Sequence, residues 1–157
     1  MSRAVNNYEP KQTLVITLAS LASAAARQST AVNNKAMPAT DVLVQVICKL
    51  LAGTPASDKK INLYVFGSID DANFTDNAGA TDAAITLRVP TNLALIGAIQ
   101  TPDAGALIYE SAPIALAQFF GGVMPPSWGI VVENRTGLAL DTVSNAVTAV
   151  PVFLAGG

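Results

Sequence analysis

Apolar residues recur at every second position along much of this chain, the signature of strands with two distinct faces. In residues 12–20, Leu14, Ile16 and Leu18 fall on one side and Thr13, Val15 and Thr17 on the other. The pattern is clearest in 41–51, where Val42, Val44, Val46 and Cys48 form one face and Leu43, Gln45, Ile47 and Lys49 a mixed one. Residues 60–69 alternate Ile61, Leu63 and Val65 with Asn62, Tyr64 and Phe66. Around the breaker at 52–60, with its Gly, Pro and Asp, these two stretches read as an antiparallel pair. Further extended segments are expected at 83–89, 92–101, 107–120 (broken by Pro113), 129–134, 138–145 and 146–155. The alanine-rich stretch 20–28 reads either as a helical turn or as a tight crossing between sheets. Eight or nine short strands spaced by turn chemistry predict an all-β fold, a single antiparallel β-sandwich of the jelly-roll kind. Residues 12–157 make up that domain, and the polar, aperiodic residues 1–11 precede it as an arm. The expected core is Leu14, Ile16, Val44, Val46, Leu63, Val65, Leu87, Ile96, Ile130, Val132 and Val152.

Composition sharpens the picture. The 157 residues suit one domain, and 51% are hydrophobic, enough for a core without metal or disulfide support. Only 13% are charged, against about 25% in ordinary soluble domains. Much of the surface is therefore uncharged, which favours a protein held in an assembly over one that stays alone. The net charge is −2 and the one adjacent basic pair is Lys59-Lys60, so no basic surface for nucleic acid is expected. Histidine is absent, and with it the commonest general base and metal ligand. The lone Cys48 sits on an apolar strand face and reads as a buried small hydrophobe rather than a nucleophile. The apolar run 93–99 is far shorter than the ~18 residues that span a bilayer. Asn6, Asn7, Glu9 and Lys11 interrupt the start of the chain, so no signal-peptide core is expected there and synthesis in the cytosol is.

Few residues suggest chemistry. The loop 70–82 carries Asp70, Asp71, Asn73, Asp76, Asn77 and Asp82, but their spacing differs from a calcium loop, and a solvated turn is the simpler reading. Asp70 and Asp71 are adjacent and point apart in an extended chain, which does not suit paired acid–base work. Two N-x-[ST] matches, at Asn73 and Asn134, are no more than chance provides. Trp128, after the Pro-rich turn 121–126, reads as a cap on one end of the core or as an interface anchor. No catalytic, cofactor-binding or metal-binding residue is predicted, and the expected protein is not an enzyme.

Three groups of segments carry a resemblance. They are 125–140 (PPSWGIVVENRTGLAL) with the apolar strand after it; then 14–23, 26–34 and 41–50; and between them 61–76 and 92–101. Together they cover about residues 12–154 and resemble small virion proteins of tailed bacteriophages, of the capsid decoration (cement) type. That resemblance implies jelly-roll subunits on the outer surface of a phage head, bound to the major capsid protein, often as homotrimers, made in the host cytoplasm and carrying no catalytic residues. It leaves open a place in tail, neck or fibre, and a small-ligand or carbohydrate-binding β-sandwich is a further reading. Neither nucleic acid nor membrane is an expected partner. The candidate contact segments are the arm, with Tyr8 and Lys11, the loop 29–40 with Met37, and the loop 121–128 with Met124, Pro125 and Trp128.

Overall fold

The computed structural model describes residues 4–36, 38–56 and 58–155. Their fold is all-β, with two sheets, one of them curled into a half-barrel. The strands are β1 (Val5–Tyr8), β2 (Gln12–Thr13), β3 (Ala26–Gln28), β4 (Val32–Asn33), β5 (Asp41–Lys49), β6 (Lys60–Ser68), β7 (Ala83–Ile85), β8 (Ala94–Gln100), β9 (Ile108–Glu110), β10 (Ile114–Ala115), β11 (Ser127–Arg135) and β12 (Ala146–Ala155). The first sheet runs β1-β12-β5-β10, with β2 also on β12 and β9 also on β5. The second runs β7-β3-β11-β6-β8, with β4 also on β11. A single 3-10 turn, Ala117–Phe120, lies among the described residues.

The alternation read in the sequence sets the inter-sheet core. Val42, Val44, Val46 and Cys48 of β5 point inward against Ile61, Leu63 and Val65 of β6 and Ile130 and Val132 of β11. The expected pairing of 41–51 with 60–69 is corrected: β5 bonds to β12, β9 and β10, and β6 to β11 and β8. Both strands carry a fully apolar face, and stacking one sheet on the other buries those faces against each other. Side-by-side pairing would leave both needing a further layer. The segment 50–59 therefore crosses between sheets. Its Leu51 and Ala56 N–H groups donate to Ala139 O (3.0 Å) and Thr136 O (2.7 Å). Gly137 permits that approach, since its φ is +82° and a Cβ there would lie 2.9 Å from Ala56 Cβ.

The alanine-rich stretch resolves as a crossing without a helix. Residues 14–25 leave the first sheet, send Leu14, Leu18 and Leu21 into the core, and turn at Ser20 and Ala24, both with positive φ. Asn134 holds this crossing. It is 0% exposed; its Nδ2 donates to Leu21 O (2.9 Å) and Leu138 O (2.7 Å). Its Oδ1 accepts from the Thr136 N–H (3.1 Å) and Oγ1 (2.8 Å). The match at 134–136 is thus a structural knot, closed to modification in the folded protein.

Most of the expected core residues are buried between the sheets, with three exceptions. Ile16 is half-buried at the rim of the core. Leu87 packs instead on the outer face of the second sheet. Val152 is buried but belongs to neither cluster, because in β12 the residues facing inward are Val147, Ala149 and Pro151, opposite Val46, Val44 and Val42. Residues 138–145, expected as a strand, make only the isolated bridge Leu50–Leu140.

The loop 70–82 is more than a solvated turn. The outer face of the second sheet is apolar at Ala26, Ile85, Phe66 and Val131, and the connections on either side of β7 pack on it with Phe74, Ala78, Leu87 and Leu93. Phe74 meets Phe66 edge to face, with centroids 5.9 Å apart. Phe66 in turn lies over Gly129, where a Cβ would come within 2.2 Å of its ring.

Two measurements check this account. Asn134→Ala removes four hydrogen bonds from a fully buried site and takes the acceptor from the Thr136 N–H, while Leu21 O and Leu138 O keep their bonds from Leu140 N–H and Thr136 Oγ1. It should destabilise the fold by about 2–3 kcal/mol in urea unfolding. Burial pushes the Cys48 thiol up to about 12, so a thiol reagent at neutral pH should label it only as fast as the protein unfolds. Rapid labelling of native protein would place Cys48 outside the core.

Candidate interaction surface

Three connections converge at one end of the two sheets: 34–40, 69–75 and 116–126. Asn34 N–H donates to Pro126 O (2.8 Å), and the buried Asn34 Oδ1 accepts from Ala39 N–H (3.0 Å), closing the first loop on itself. Asp71 accepts from both Lys35 Nζ and Ser127 Oγ, tying the second loop to the other two. Asp70 shapes its own turn by accepting from Asn73 N–H (2.8 Å) and Ala72 N–H (2.9 Å). Phe120 and Pro125 press on Gly67, where a Cβ would lie 2.8 Å from the phenyl ring.

This tied frame holds apolar side chains out into water. Ile69 is 84% exposed and Val123 74%. Between Ile69, Phe74, Phe120 and Pro125 lies an open hollow of about 400 Å³, and Lys35, Pro38, Met124 and Pro126 line a second of about 280 Å³. Rigid prolines and internally bonded loops cost little entropy to order on contact, which favours binding over display.

The carboxylates of 70–82 diverge. Asp76 accepts from Thr91 Oγ1 (2.6 Å), Asn92 N–H (2.6 Å) and Asn92 Nδ2 (2.7 Å). Asp82 accepts from Arg27 Nε (2.6 Å) and Thr17 Oγ1 (2.5 Å). Among the described residues no three Asp, Glu, Cys or His side chains cluster to hold a metal ion. These carboxylates fasten the covering loop. Hydrogen bonds from Thr91 and Asn92 hold the Asp76 carboxyl below its ordinary range, and the Lys35 contact does the same for Asp71. Burial opposes ionisation of Asp82 and is outweighed by its bonds to Arg27 and Thr17.

The six residues expected at contacts separate. Pro125 lies at this end, half-buried. Met124, 6% exposed, packs in the core while lining the second hollow, and Trp128, 2% exposed, takes the first of its two readings, a cap on the end of the core. It alternates inward with Ile130 and Val132 on β11, its indole N–H buried with no partner among the described residues. Tyr8 and Lys11 lie elsewhere, lining with Leu43, Pro113 and Val150 a groove of about 330 Å³ on the outer face of the first sheet. Met37 lies outside the described residues. Ile69, Val123 and Phe120 were not among the six. Their signal in the sequence is an apolar residue set between turn-formers, as in Gly-Ser-Ile-Asp-Asp at 67–71 and Gly-Gly-Val at 121–123.

No protein-family model matches this chain, and no curated protein matches it.

The loop carboxylates predict the acid response. A depressed folded-state pKa contributes stability that is present above the unfolded value, about 4, and is lost as pH falls through the folded one. The melting temperature should stay level from pH 7 to about 5 and drop below about 4. Asp76→Asn should shrink that drop. A midpoint falling between pH 6 and 7 would mean that other groups control stability.

Proposed function

We propose that this chain is a non-enzymatic structural protein of a tailed-phage particle, a capsid decoration protein seated on the outer shell by the end that carries Ile69 and Val123. The exposed apolar side chains on that frame are the observation that carries the reading. Contact with a protein shell removes them from water and asks for area rather than chemistry. The scarcity of charge and the absence of histidine fit the same role. So does the resemblance, whose 125–140 segment forms part of this end through Pro125, Pro126 and Ser127.

Strand order supports a jelly roll as the underlying fold. With β1 and β2, β3 and β4, and β9 and β10 each taken as one bent strand, eight strands remain beside β7. Numbered along the chain, they run 1-8-3-6 in one sheet and 2-7-4-5 in the other. A jelly roll's double Greek key has this order, and the order supports that reading, with β7 added beyond β3. Trimeric association and the major capsid protein as partner belong to this proposal, and a place in tail, neck or fibre is the competing one. The ligand-binding reading has one feature in its favour, a cavity of about 310 Å³ between Gln12, Leu14, Val42, Trp128 and Phe153. The polar atom of its Trp128 wall lies buried, out of reach of an occupant.

Purified chain should bind particles stripped of it, and Ile69→Asp or Val123→Asp should weaken that binding by about tenfold each, the effect of losing an apolar anchor. Both positions are exposed, so circular dichroism and melting temperature should not change. Undiminished binding by the double variant would overturn the proposed orientation.

A further inference from the structure

We infer that β1 is an exchangeable strand: in the associated protein Val5–Tyr8 leaves its own β12 and pairs with β12 of a second copy. The strand stands at the edge of the first sheet, and all four of its residues are exposed. Neither hydrophobic cluster includes any of them. Its attachment is a backbone ladder, Val5 opposite Ala155 through Tyr8 opposite Val152, followed by the Glu9 N–H donating to Pro151 O (3.0 Å). Detaching it therefore breaks backbone bonds and withdraws no residue from either hydrophobic cluster.

A hinge lies where exchange needs one. The ladder on β12 lapses after Glu9 and resumes at Gln12–Thr13, opposite Ala149 and Thr148. Pro10, in the gap, has no N–H to pair, so rotation there sacrifices no bond. β2 stays in place while β1 swings.

The occupant follows from complementarity. Every copy carries the same vacated edge, residues 152–155, so an exchanged strand recovers each backbone bond it gives up. Edge strands that must stay apart ordinarily carry a charge or an internal proline. β1 has neither, and the ten residues of β12 include no charged side chain and one proline, Pro151, which lies outside the stretch 152–155 that pairs with β1. Val5, Tyr8 and Leu154 are each more than half exposed around this ladder. Exchange brings a neighbouring subunit against them and supplies the gain that pairing alone does not. No capsid is required, so the inference stands or falls separately from the proposed place on the shell.

The test uses the purified full chain. Asn6 and Leu154 are opposite each other in the ladder and both exposed, so cysteines there are within disulfide reach without disturbing the core. The buried Cys48 does not compete. Oxidation of the Asn6→Cys, Leu154→Cys variant at micromolar concentration should give covalent multimers on a non-reducing denaturing gel, lost on reduction. A chain lacking residues 1–9 should sediment as a monomer. Cross-links confined within single chains, a wild-type chain that remains monomeric, or a truncated chain that associates as fully as the intact one would each overturn the inference.

Discussion

The second sheet is the middle layer of this protein, and the rest of the structure depends on its two-sided burial. β6 and β11 bury Ile61, Leu63, Val65, Ile130 and Val132 against the first sheet, and Phe66 and Val131 beneath the loop 69–93. A sheet covered on both faces cannot serve as a docking surface. The chain spends a long connection on that cover and pins the part before β7 with a carboxylate at each end: Asp71 to Lys35 and Ser127, Asp82 to Arg27 and Thr17. The outer face of the first sheet, with its edge strand β1, and the end where Ile69 and Val123 project are among the surfaces left open. Both places assigned here to association are places that the internal cover does not reach.

Strict alternation was legible in the sequence wherever one face of a strand meets the core and the other meets water. β5 is the clear case, with its inward Val42, Val44, Val46 and Cys48. Where both faces are apolar, as in β12, period two does not separate Val147 and Ala149, which face the other sheet, from Val152, which is buried outside that cluster. Pairing between sheets was illegible for a different reason. A connection of some ten residues can serve as a long hairpin loop or as a crossing, and only the bonds of Leu51 and Ala56 to 136–139 distinguish them. The density of Asp and Asn in 70–82 concealed Phe74, whose role depends on Phe66 and on the space above Gly129.

The frame of the proposed contact end was legible in part. Of the three candidate contact segments, the loops 29–40 and 121–128 meet at one end, joined by the Asn34–Pro126 bond, and the arm lies apart from them. Within them, the residues that attract notice by size, Met124 and Trp128, are the ones that the core takes, because strand alternation and the collapsing end of the core draw large apolar groups inward. The exposed positions fall to Ile69 and Val123, which stand among polar and glycine neighbours that hold the backbone at the surface.

The central claim is that this end, and not a sheet face, meets the shell of a virus particle. The most direct measurement is a reconstruction of the intact particle at side-chain resolution. The account predicts density for this chain at many copies on the outer head surface, with Ile69, Val123 and Pro125 against capsid subunits. Density confined to neck, tail or fibres, or a head-bound chain with that end in solvent, would contradict it.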